Sequence, residues 1–431
     1  MIKQLEIENF RCFGQSTLSG FERVNLIGGQ NNSGKTAFLE ALYLNCSPRA
    51  ETVMKLRGIS KETILTFPER AWSGLFLDHD NRRAIKVRYF DQDDIYPELH
   101  LLQFSSYSET QNYIRSRIEK LEKSLKHNNS RRQVLVIRPI KQTLTDEELE
   151  SLNYLELVTK FDIKEINSLQ SFERELSNYS EVLHSALYIA FYQNERYIGS
   201  SHILISPNIK LVGRKKTIER NSDSQVNAII SSTNKELEDY PLLPSSFISA
   251  SERASNSYLA EQYDKCYLQG YSDKVKEAFH IIDPSITEIR TLTSGEPMIY
   301  LSRKNQRPMS ITLFGDAMNR VAHFALELIN NQAGILLVDE IENGIHHSHQ
   351  KQLWQWLFAL AVELDVQIFA TTHSLEMLTA FKEAAMGTQY ESEVAYFEFV
   401  RHVKTGEIIG IKHKVDELDY ALSHDGEIRG E

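Results

Sequence analysis

The stretch of sequence that decides the fold is residues 29–36, which matches the phosphate-loop pattern G-x-x-x-x-G-K-[ST]. Its residues are Gly29, Gln30, Asn31, Asn32, Ser33, Gly34, Lys35 and Thr36. The apolar run at residues 24–27 predicts a strand before the loop, and the apolar positions within residues 38–42 predict a helix after it. A strand, a glycine-rich loop and a helix in that order are the context in which this pattern binds phosphate.

The loop carries the chemistry that a bound polyphosphate needs. Its glycines let successive backbone N–H groups point into one concavity, and the N-terminus of the following helix favours an anion. Lys35 would place a positive charge on the β- and γ-phosphates, and the Thr36 hydroxyl would bind Mg²⁺. By chance the pattern arises in on the order of one in a hundred chains of this length. The flanking strand and helix make chance a poor explanation here.

A second motif follows the apolar run at residues 335–338, which suits a strand buried on both faces of a parallel sheet. Asp339 and Glu340 come directly after this run. Asp339 is predicted to hold Mg²⁺, and Glu340 to orient or deprotonate the attacking water. A solvated acidic strand end is the plainer interpretation, and the phosphate loop favours the catalytic one.

The next strand-like run, residues 366–370, leads to His373. Ligands of open α/β sheets bind at the carboxyl ends of the strands, so His373 is predicted to reach the γ-phosphate or the attacking water. Strand and helix patterns alternate over this half of the chain, which predicts a doubly wound α/β sheet. A separate group, His346, His347 and His349, has no accompanying carboxylate or thiolate pattern, and we do not predict a metal site there.

The composition narrows the class of protein. The chain has 431 residues, 41% of them hydrophobic and 25% charged, which is ordinary for a globular protein of two or three domains. The net charge of -11 argues against a uniformly basic nucleic-acid binder. Nothing resembles a signal peptide or an apolar run near 18 residues, and the three cysteines are far apart. We therefore expect a cytoplasmic protein with no membrane partner.

Residues from about 46 to 245 differ from their flanks because polar and charged residues dominate them. Apolar residues at helical spacing predict an exposed helix over 108–132 and a largely helical stretch over 145–200. The other face of the first helix carries Arg115, Arg117, Lys120, Lys123, Lys126, Arg131 and Arg132. Nucleic-acid contact is one interpretation of this face, and a solvated face with interleaved glutamates is the plainer one. The expected organisation is an N-terminal lobe at 1–90, a mainly helical insertion at 91–245 and a C-terminal lobe at 246–431.

Taken together, the motifs resemble those of ABC-type ATPases of the SMC, RecF and OLD branch, in the compact form called AAA15. Residues 7–13, IENFRCF, are similar to that branch's first strand and NFR turn, which would place Arg11 close to the nucleotide. Residues 249–253, SASER, are similar to a short serine/arginine motif. Residues 336–347, LLVDEIENGIHH, resemble a Walker B motif and D-loop, and residues 369–374, FATTHS, resemble the switch histidine. The D-loop residues would be Glu342, Asn343 and Gly344, near a dimer axis.

The resemblance implies an ABC-type P-loop ATPase head, α/β in class, with a mixed or parallel doubly wound sheet. It implies Mg-ATP held by the phosphate loop and Asp339, and hydrolysis by Glu340 with His373. Members of this branch sandwich ATP between two heads, so a homodimer or a higher assembly of dimers is expected.

The signature segment, residues 312–318, departs from the family pattern. Gly315 and Asp316 would approach the partner's nucleotide in trans. Ala317 stands where the family has its second glycine, and Thr312 is the only hydroxyl residue before Gly315 in this segment. The trans contact to ATP is therefore expected to be weaker than usual.

OLD-type proteins carry a TOPRIM nuclease domain after the switch histidine, whereas residues 374–431 contain no Asp-x-Asp pair. We therefore expect an ATPase with no nuclease activity of its own. The arrangement resembles the ATPase subunit of two-gene anti-phage systems, of the PARIS AriA kind. It implies a separate TOPRIM-like or HNH nuclease effector, and a nucleic acid or phage protein as trigger. The alternatives are a DNA-repair-type ATPase that clamps DNA directly, and a nucleotide-gated scaffold with little turnover.

Overall fold

The structure is a computed structural model in which the chain divides into two compact units. It describes residues 1–59, 66–67, 70–93, 95–136, 146–178, 183, 185–207, 217–218 and 227–423. The first unit comprises Met1–Leu5, Ser16–Cys46 and Leu242–Glu431. The second comprises Glu6–Gln15 and Ser47–Pro241.

The strands and helices are numbered here in chain order. The strands are β1 (Ile2–Phe10), β2 (Phe13–Ser19), β3 (Val24–Gly29), β4 (Ile85–Asp91), β5 (Pro97–Phe104), β6 (Ser185–Gln193), β7 (Arg196–Pro207), β8 (Thr217–Ile218), β9 (Asn227–Thr233), β10 (Ser245–Ile248), β11 (Ile286–Ser294), β12 (Glu296–Arg303), β13 (Met309–Ser310), β14 (Ile335–Val338), β15 (Gln367–Thr371), β16 (Val394–Arg401) and β17 (Ile408–His413). The α-helices are α1 (Lys35–Cys46), α2 (Ala50–Val53), α3 (Tyr107–Val136), α4 (Asp146–Ser177), α5 (Lys235–Glu238), α6 (Asn256–Leu268), α7 (Ser272–Ile282), α8 (Asp316–Asn330), α9 (His347–Glu363), α10 (Leu375–Ala385) and α11 (Val415–Ser423).

The first unit is built on a six-stranded sheet in the order β10-β14-β15-β3-β16-β17. Every pairing is parallel except that of β17, which runs antiparallel to β16. The α/β class and the mixed doubly wound sheet predicted from the sequence are confirmed. The parallel strands β14 and β15 are buried along their whole length, which explains their uninterrupted apolar sequences.

Helices cover both faces of this sheet, and successive residues of β15 contact helices on opposite faces. Ile368 and Ala370 belong to the core that also contains Trp354 of α9. Phe369, between them, turns to the opposite face, where its ring centroid lies 5.9 Å from that of Phe38 in α1. Helix α1 is therefore buried nearly all round, and its N-terminus is held at the carboxyl end of β3.

The second unit contains strands β4 to β9 of an eight-stranded sheet in the order β2-β1-β4-β5-β6-β7-β9-β8. The pairs β4-β5, β5-β6, β6-β7, β7-β9 and β8-β9 are antiparallel. Residues 47–90, which we expected to belong to the N-terminal lobe, group with this unit. The pairing of β4 with β5 is the physical reason, because it ties residues 85–91 to the segment that follows.

The insertion is not purely helical. The long helices α3 and α4 are present and pack on each other, but strands β5 to β9 accompany them. The apolar spacing of Leu183 and Leu187 suggested a helix, whereas residues 185–193 form the buried strand β6. A short apolar run does not distinguish a buried strand from a buried helix by its period, and the tyrosines and phenylalanine of β6 favour the strand.

The basic face of the first long helix is smaller than the sequence suggested. The Arg117 guanidinium donates to the Glu165 carboxylate of α4 at 2.7 Å and 3.1 Å, so it packs between the helices. The side chains of Lys126, Arg131 and Arg132 lie outside the described part of the structure. Among the helices that are described, none combines the length and apolarity needed to cross a bilayer.

Candidate nucleotide site

The phosphate loop connects β3 to α1 as its sequence predicts. Its backbone enters the left-handed region at Gly29 (φ 129°), Asn32 (φ 64°) and Gly34 (φ 88°). A Cβ on Gly29 would also collide with the Phe399 carbonyl oxygen of β16, so both conformation and space require glycine there. The loop thereby places the first turn of α1 at the edge of the sheet.

Lys35 is buried, and its ammonium folds back onto the loop. Its Nζ donates to the carbonyl oxygens of Gly29 at 2.8 Å and Gln30 at 2.7 Å, and to Ser33 Oγ at 3.3 Å. Burial lowers the pKa of Lys35 to about 8, against the opposing effect of the carboxylates Asp339, Glu342 and Glu340. A buried ammonium with neutral hydrogen-bond partners is a site that an anion would stabilise, which fits a phosphate group.

Thr36 and Asp339, predicted to hold Mg²⁺, meet at the sheet edge although 303 positions separate them. The Thr36 hydroxyl lies 3.0 Å and 3.1 Å from the two Asp339 carboxylate oxygens. Hydroxyl and carboxylate oxygens are the hard ligands that Mg²⁺ prefers, so these two residues fit this ion. The structure brings together the pair expected from the sequence, and its metal-binding role stays a prediction.

Thr371 is a site residue that the sequence analysis missed. It is buried at the end of β15, where its hydroxyl donates to Asp339 Oδ1 at 2.7 Å and accepts the Glu340 N–H at 2.8 Å. The register of the parallel pair β14-β15 aligns Val338 with Ala370, so Asp339 and Thr371 follow side by side. Assuming that register would have revealed this contact.

Glu340 adopts a backbone conformation that is unusual for glutamate, with φ at 48°. Such a conformation costs about 1–3 kcal/mol and persists where surrounding contacts enforce it. The enforcing contacts are the Thr371 hydroxyl on the Glu340 N–H and the Asn343 amide, whose Nδ2 donates to Glu340 Oε2 at 2.8 Å. The strained residue is the one predicted to act on water.

His373 follows β15 and lines a cavity of about 240 Å³ beside the phosphate loop. The cavity is lined by Gly28, Gly29, Gln30, Asn31, Thr372, His373, Ser374, Leu375, Leu378 and Tyr396. Partial burial and the Lys35 charge lower the pKa of His373, against the effect of nearby carboxylates. The lowered pKa favours the neutral imidazole, which has one donor and one acceptor nitrogen. Its backbone N–H donates to Glu342 Oε1 at 2.7 Å.

The signature and D-loop segments lie next to each other. Gly315 (φ 85°) precedes α8, and Asp316 in its first turn forms a 3.2 Å ion pair with Arg253 of the serine/arginine motif. A Cβ on Gly344 would lie 3.9 Å from Asp316. The Thr312 hydroxyl, the candidate signature hydroxyl, lies 2.7 Å from Ser310 Oγ. Gly315, Asp316 and Gly344 are exposed, so this surface is available to a partner.

Arg320, on α8, is a second residue that the sequence analysis missed. Its guanidinium is buried and donates to the carbonyl oxygens of Asp339 at 3.1 Å, Ser249 at 3.2 Å and Glu252 at 3.4 Å. It therefore ties the signature helix to the end of β14.

Arg11 belongs to the second unit. Its backbone is left-handed (φ 52°), and its Nη2 donates to the Arg57 carbonyl oxygen at 2.7 Å. Its predicted place near the nucleotide stays a prediction.

The chain matches the protein family AAA_15, described as an AAA ATPase domain, over residues 1–378. This protein belongs to the AAA_15 ATPase family. Membership of this family makes it a nucleotide-binding ATPase. The resemblance to AAA15 proteins, which was inferred from the sequence, is confirmed.

Individual relatives of this AAA_15 protein are distant. The "ATP/GTP phosphatase" of Helicobacter pylori is 22% identical over 413 residues, which is 92% of each chain. The "DNA replication and repair protein RecF" of Idiomarina loihiensis is 46% identical over 43 residues, which is 10% of this chain and 12% of that one. Among solved structures, an Smc head bound to the C-terminal winged-helix domain of ScpA aligns at a TM-score of 0.44 and 10% identity, over 98% of this chain and 99% of that one.

Proposed function

We propose that this AAA_15 protein binds Mg-ATP at residues 29–36 and hydrolyses it at the carboxyl edge of the first unit's sheet. The observation that carries the proposal is the contact of Thr36 with Asp339 at 3.0 Å, which joins the phosphate loop to the end of β14. Glu340 and His373 lie at the same edge. A phosphate-binding element, two metal-ligand oxygens and a hydrolytic carboxylate are the parts that phosphoryl transfer to water requires.

Each side chain has a distinct task in this proposal. Lys35 turns its ammonium from the loop carbonyls to the β- and γ-phosphates. Thr36 and Asp339 hold Mg²⁺, which neutralises charge on the phosphate oxygens when bound. Glu340 accepts the proton of the attacking water, and His373 donates its ring N–H to an oxygen of the γ-phosphate. The expected contribution of a positioned general base is about 10²–10⁴-fold in rate.

We further propose that two heads enclose the nucleotide, as a homodimer or a higher assembly of dimers. The exposed signature residues Gly315 and Asp316 and the adjacent D-loop residue Gly344 would face the partner's phosphate loop. Their exposure and proximity support this arrangement. The output would be a conformational switch that closes with ATP and opens after hydrolysis.

The biological role we propose is regulation of a separate TOPRIM-like or HNH nuclease in a cytoplasmic anti-phage system, with a nucleic acid or phage protein as trigger. The support is the resemblance to AriA-like subunits. The nucleotide itself can be tested at once, because the Helicobacter relative is named for both ATP and GTP. Phosphate release from each at equal concentration measures the preference, and we propose ATP.

The experiment that tests the hydrolytic site is Mg²⁺-dependent phosphate release by the wild type and by Asp339→Asn. The amide keeps the size of the carboxylate but loses its charge, so the variant should lose at least about 100-fold in rate at saturating Mg²⁺. EDTA should abolish release by the wild type. Hydrolysis that survives EDTA, or an Asp339→Asn rate equal to the wild type, would refute the site.

A second candidate is a DNA-repair-type ATPase that clamps DNA directly, which the local 46% identity to a RecF protein favours. A clamp that contacts several phosphates should show DNA affinity that falls steeply between 50 mM and 200 mM salt. DNA binding that depends on ATP and on salt would select this candidate. Binding absent at 50 mM salt would reject it.

A further inference from the structure

The side-chain amide of Asn343 is fixed between two acceptors of its own chain. Its Nδ2 donates to the Ala250 carbonyl oxygen at 3.3 Å and to Glu340 Oε2 at 2.8 Å. The Asn343 backbone N–H donates to the Glu340 carbonyl oxygen at 3.0 Å, which closes a tight turn over residues 340–343. The turn folds the amide back onto the carboxylate predicted to act on water.

The same contacts restrict how that carboxylate can move. The Glu340 N–H is held by the Thr371 hydroxyl at 2.8 Å, and the backbone is held at φ 48°. Because Asn343 already donates to Oε2, we expect Oε1 to be the oxygen that receives the proton from water. A carboxylate fixed at its backbone and at one oxygen presents the other in a single direction, which is the condition for efficient proton transfer.

We propose that Asn343 is a positioning residue that acts in cis: anchored on the Ala250 carbonyl, its amide orients Glu340 for attack by water on the γ-phosphate. This rests on the proposed role of Glu340. It differs from the expectation that residues 342–344 act across a dimer axis, because both acceptors of the Asn343 amide belong to the same head. Asn343 does not contact the phosphates in this proposal, so it sets the rate of hydrolysis and leaves nucleotide affinity unchanged.

Three proteins test the proposal: wild type, Asn343→Ala and Asn343→Asp. Aspartate is nearest to asparagine in size, but it cannot donate and it sets a second negative charge against Glu340. Alanine leaves space in which water can donate instead. The expected kcat order is therefore wild type, then Asn343→Ala at about 10-fold lower, then Asn343→Asp at about 100-fold lower, with ATP affinity within twofold.

The matched control is Asn178→Asp, the same substitution at an exposed position in the second unit. It should keep the wild-type kcat and melting temperature. A purely structural role for Asn343 would give the opposite order, with the isosteric aspartate milder than alanine, and would overturn the proposal. So would a wild-type kcat in Asn343→Asp.

Two further measurements separate this inference from the proposed function. If Asn343 acts through Glu340, then Asn343→Ala added to Glu340→Gln should cost no further rate in single-turnover assays. An additional tenfold loss would show an independent, trans role and overturn the inference. If Glu340→Gln alone hydrolyses ATP at the wild-type rate, the proposed function fails and the positioning role with it. An inactive Glu340→Gln beside fully active Asn343 variants overturns the positioning role alone.

Discussion

The two units satisfy their buried polar groups in different ways. In the first unit the buried Lys35 ammonium donates to carbonyl and hydroxyl oxygens, all of them neutral. In the second unit the buried Glu165 carboxylate meets the Arg117 guanidinium at 2.7 Å and the Tyr192 hydroxyl at 3.1 Å. An anionic ligand would stabilise a buried cation whose hydrogen-bond partners are all neutral. A buried carboxylate that already pairs with a guanidinium needs no such ligand.

The pKa shifts of buried charged groups in the two units show the same difference. Burial lowers the pKa of Lys35 to about 8, so the folded protein holds this ammonium at a cost. Burial also acts to raise the pKa of Glu98 in the second unit, but hydrogen bonds and charge from His100 and Arg88 outweigh it and bring the value to about 2. A buried charged group without an oppositely charged partner is typical of a functional site. A buried charged group with such a partner contributes to the stability of the fold.

The largest effect we expect is on Lys35→Ala. Removing the ammonium takes away the charge that binds the β- and γ-phosphates, so ATP affinity should fall at least about 100-fold. The fold should persist, because the substitution removes a buried charge that had no charged partner in contact. Isothermal titration and a melting curve check both points, with Lys404→Ala, at an exposed hairpin turn, as the control. Unchanged ATP affinity in Lys35→Ala would contradict the prediction that residues 29–36 bind phosphate.

A smaller loss is expected for Thr371→Val, which keeps the shape of the side chain but removes its hydroxyl. Asp339 loses a hydrogen bond and the Glu340 N–H is left without its acceptor, so kcat should fall about 10- to 100-fold. Stability should fall by about 1–3 kcal/mol. Steady-state kinetics and urea unfolding measure both, with Thr293→Val, at an exposed position of strand β11, as the control. A wild-type kcat would show that Thr371 serves the fold alone.

The second unit should lose stability and keep ATP affinity when the partly buried ion pair of Arg117 and Glu165 is broken. Arg117→Met leaves Glu165 buried without its cation and should cost about 3–5 kcal/mol of stability. Glu165→Gln added to it removes the stranded charge and should recover part of that loss. ATP affinity, measured at a temperature where the variants are folded, should stay at the wild-type value. A loss of ATP affinity would contradict the division of tasks between the units.

The smallest effect we expect is a loss of folding stability at acidic pH. The pKa of Glu98 in the folded protein, about 2, lies below its ordinary value of 4.5. Its interactions therefore stabilise the fold fully above pH 4.5, and the stabilisation is lost as the pH falls toward 2. The loss should be on the order of 2 kcal/mol, and urea unfolding at pH 6, 4 and 3 should show it. Glu98→Gln should flatten that part of the curve; an unaltered slope would mean that other carboxylates cause it.

The contrast between the units also governs what the sequence could reveal. The phosphate loop, Asp339-Glu340 and His373 could be proposed from the sequence because each follows a distinctive local pattern at a strand end, and their roles stay predictions. Thr371 and Arg320 were missed because their roles arise from strand register and from a helix packed across the sheet end. Strand β6 was missed because a short apolar run with aromatic residues fits either a helix or a strand. A motif can be recognised from neighbouring residues in the sequence, whereas a contact between distant segments can be recognised only when their relative positions in the fold are known.

The measurement that tests the central claim most directly is ATP hydrolysis by Glu340→Gln, combined with its mass in solution with and without ATP. The amide cannot take a proton, so phosphate release should fall at least about 100-fold while ATP still binds. If ATP closes two heads, the blocked variant should accumulate the ATP-bound assembly and its mass should rise with ATP. A Glu340→Gln protein that hydrolyses ATP at the wild-type rate would contradict the catalytic assignment. One that binds ATP, fails to hydrolyse it and keeps one mass would contradict the proposed closure of two heads.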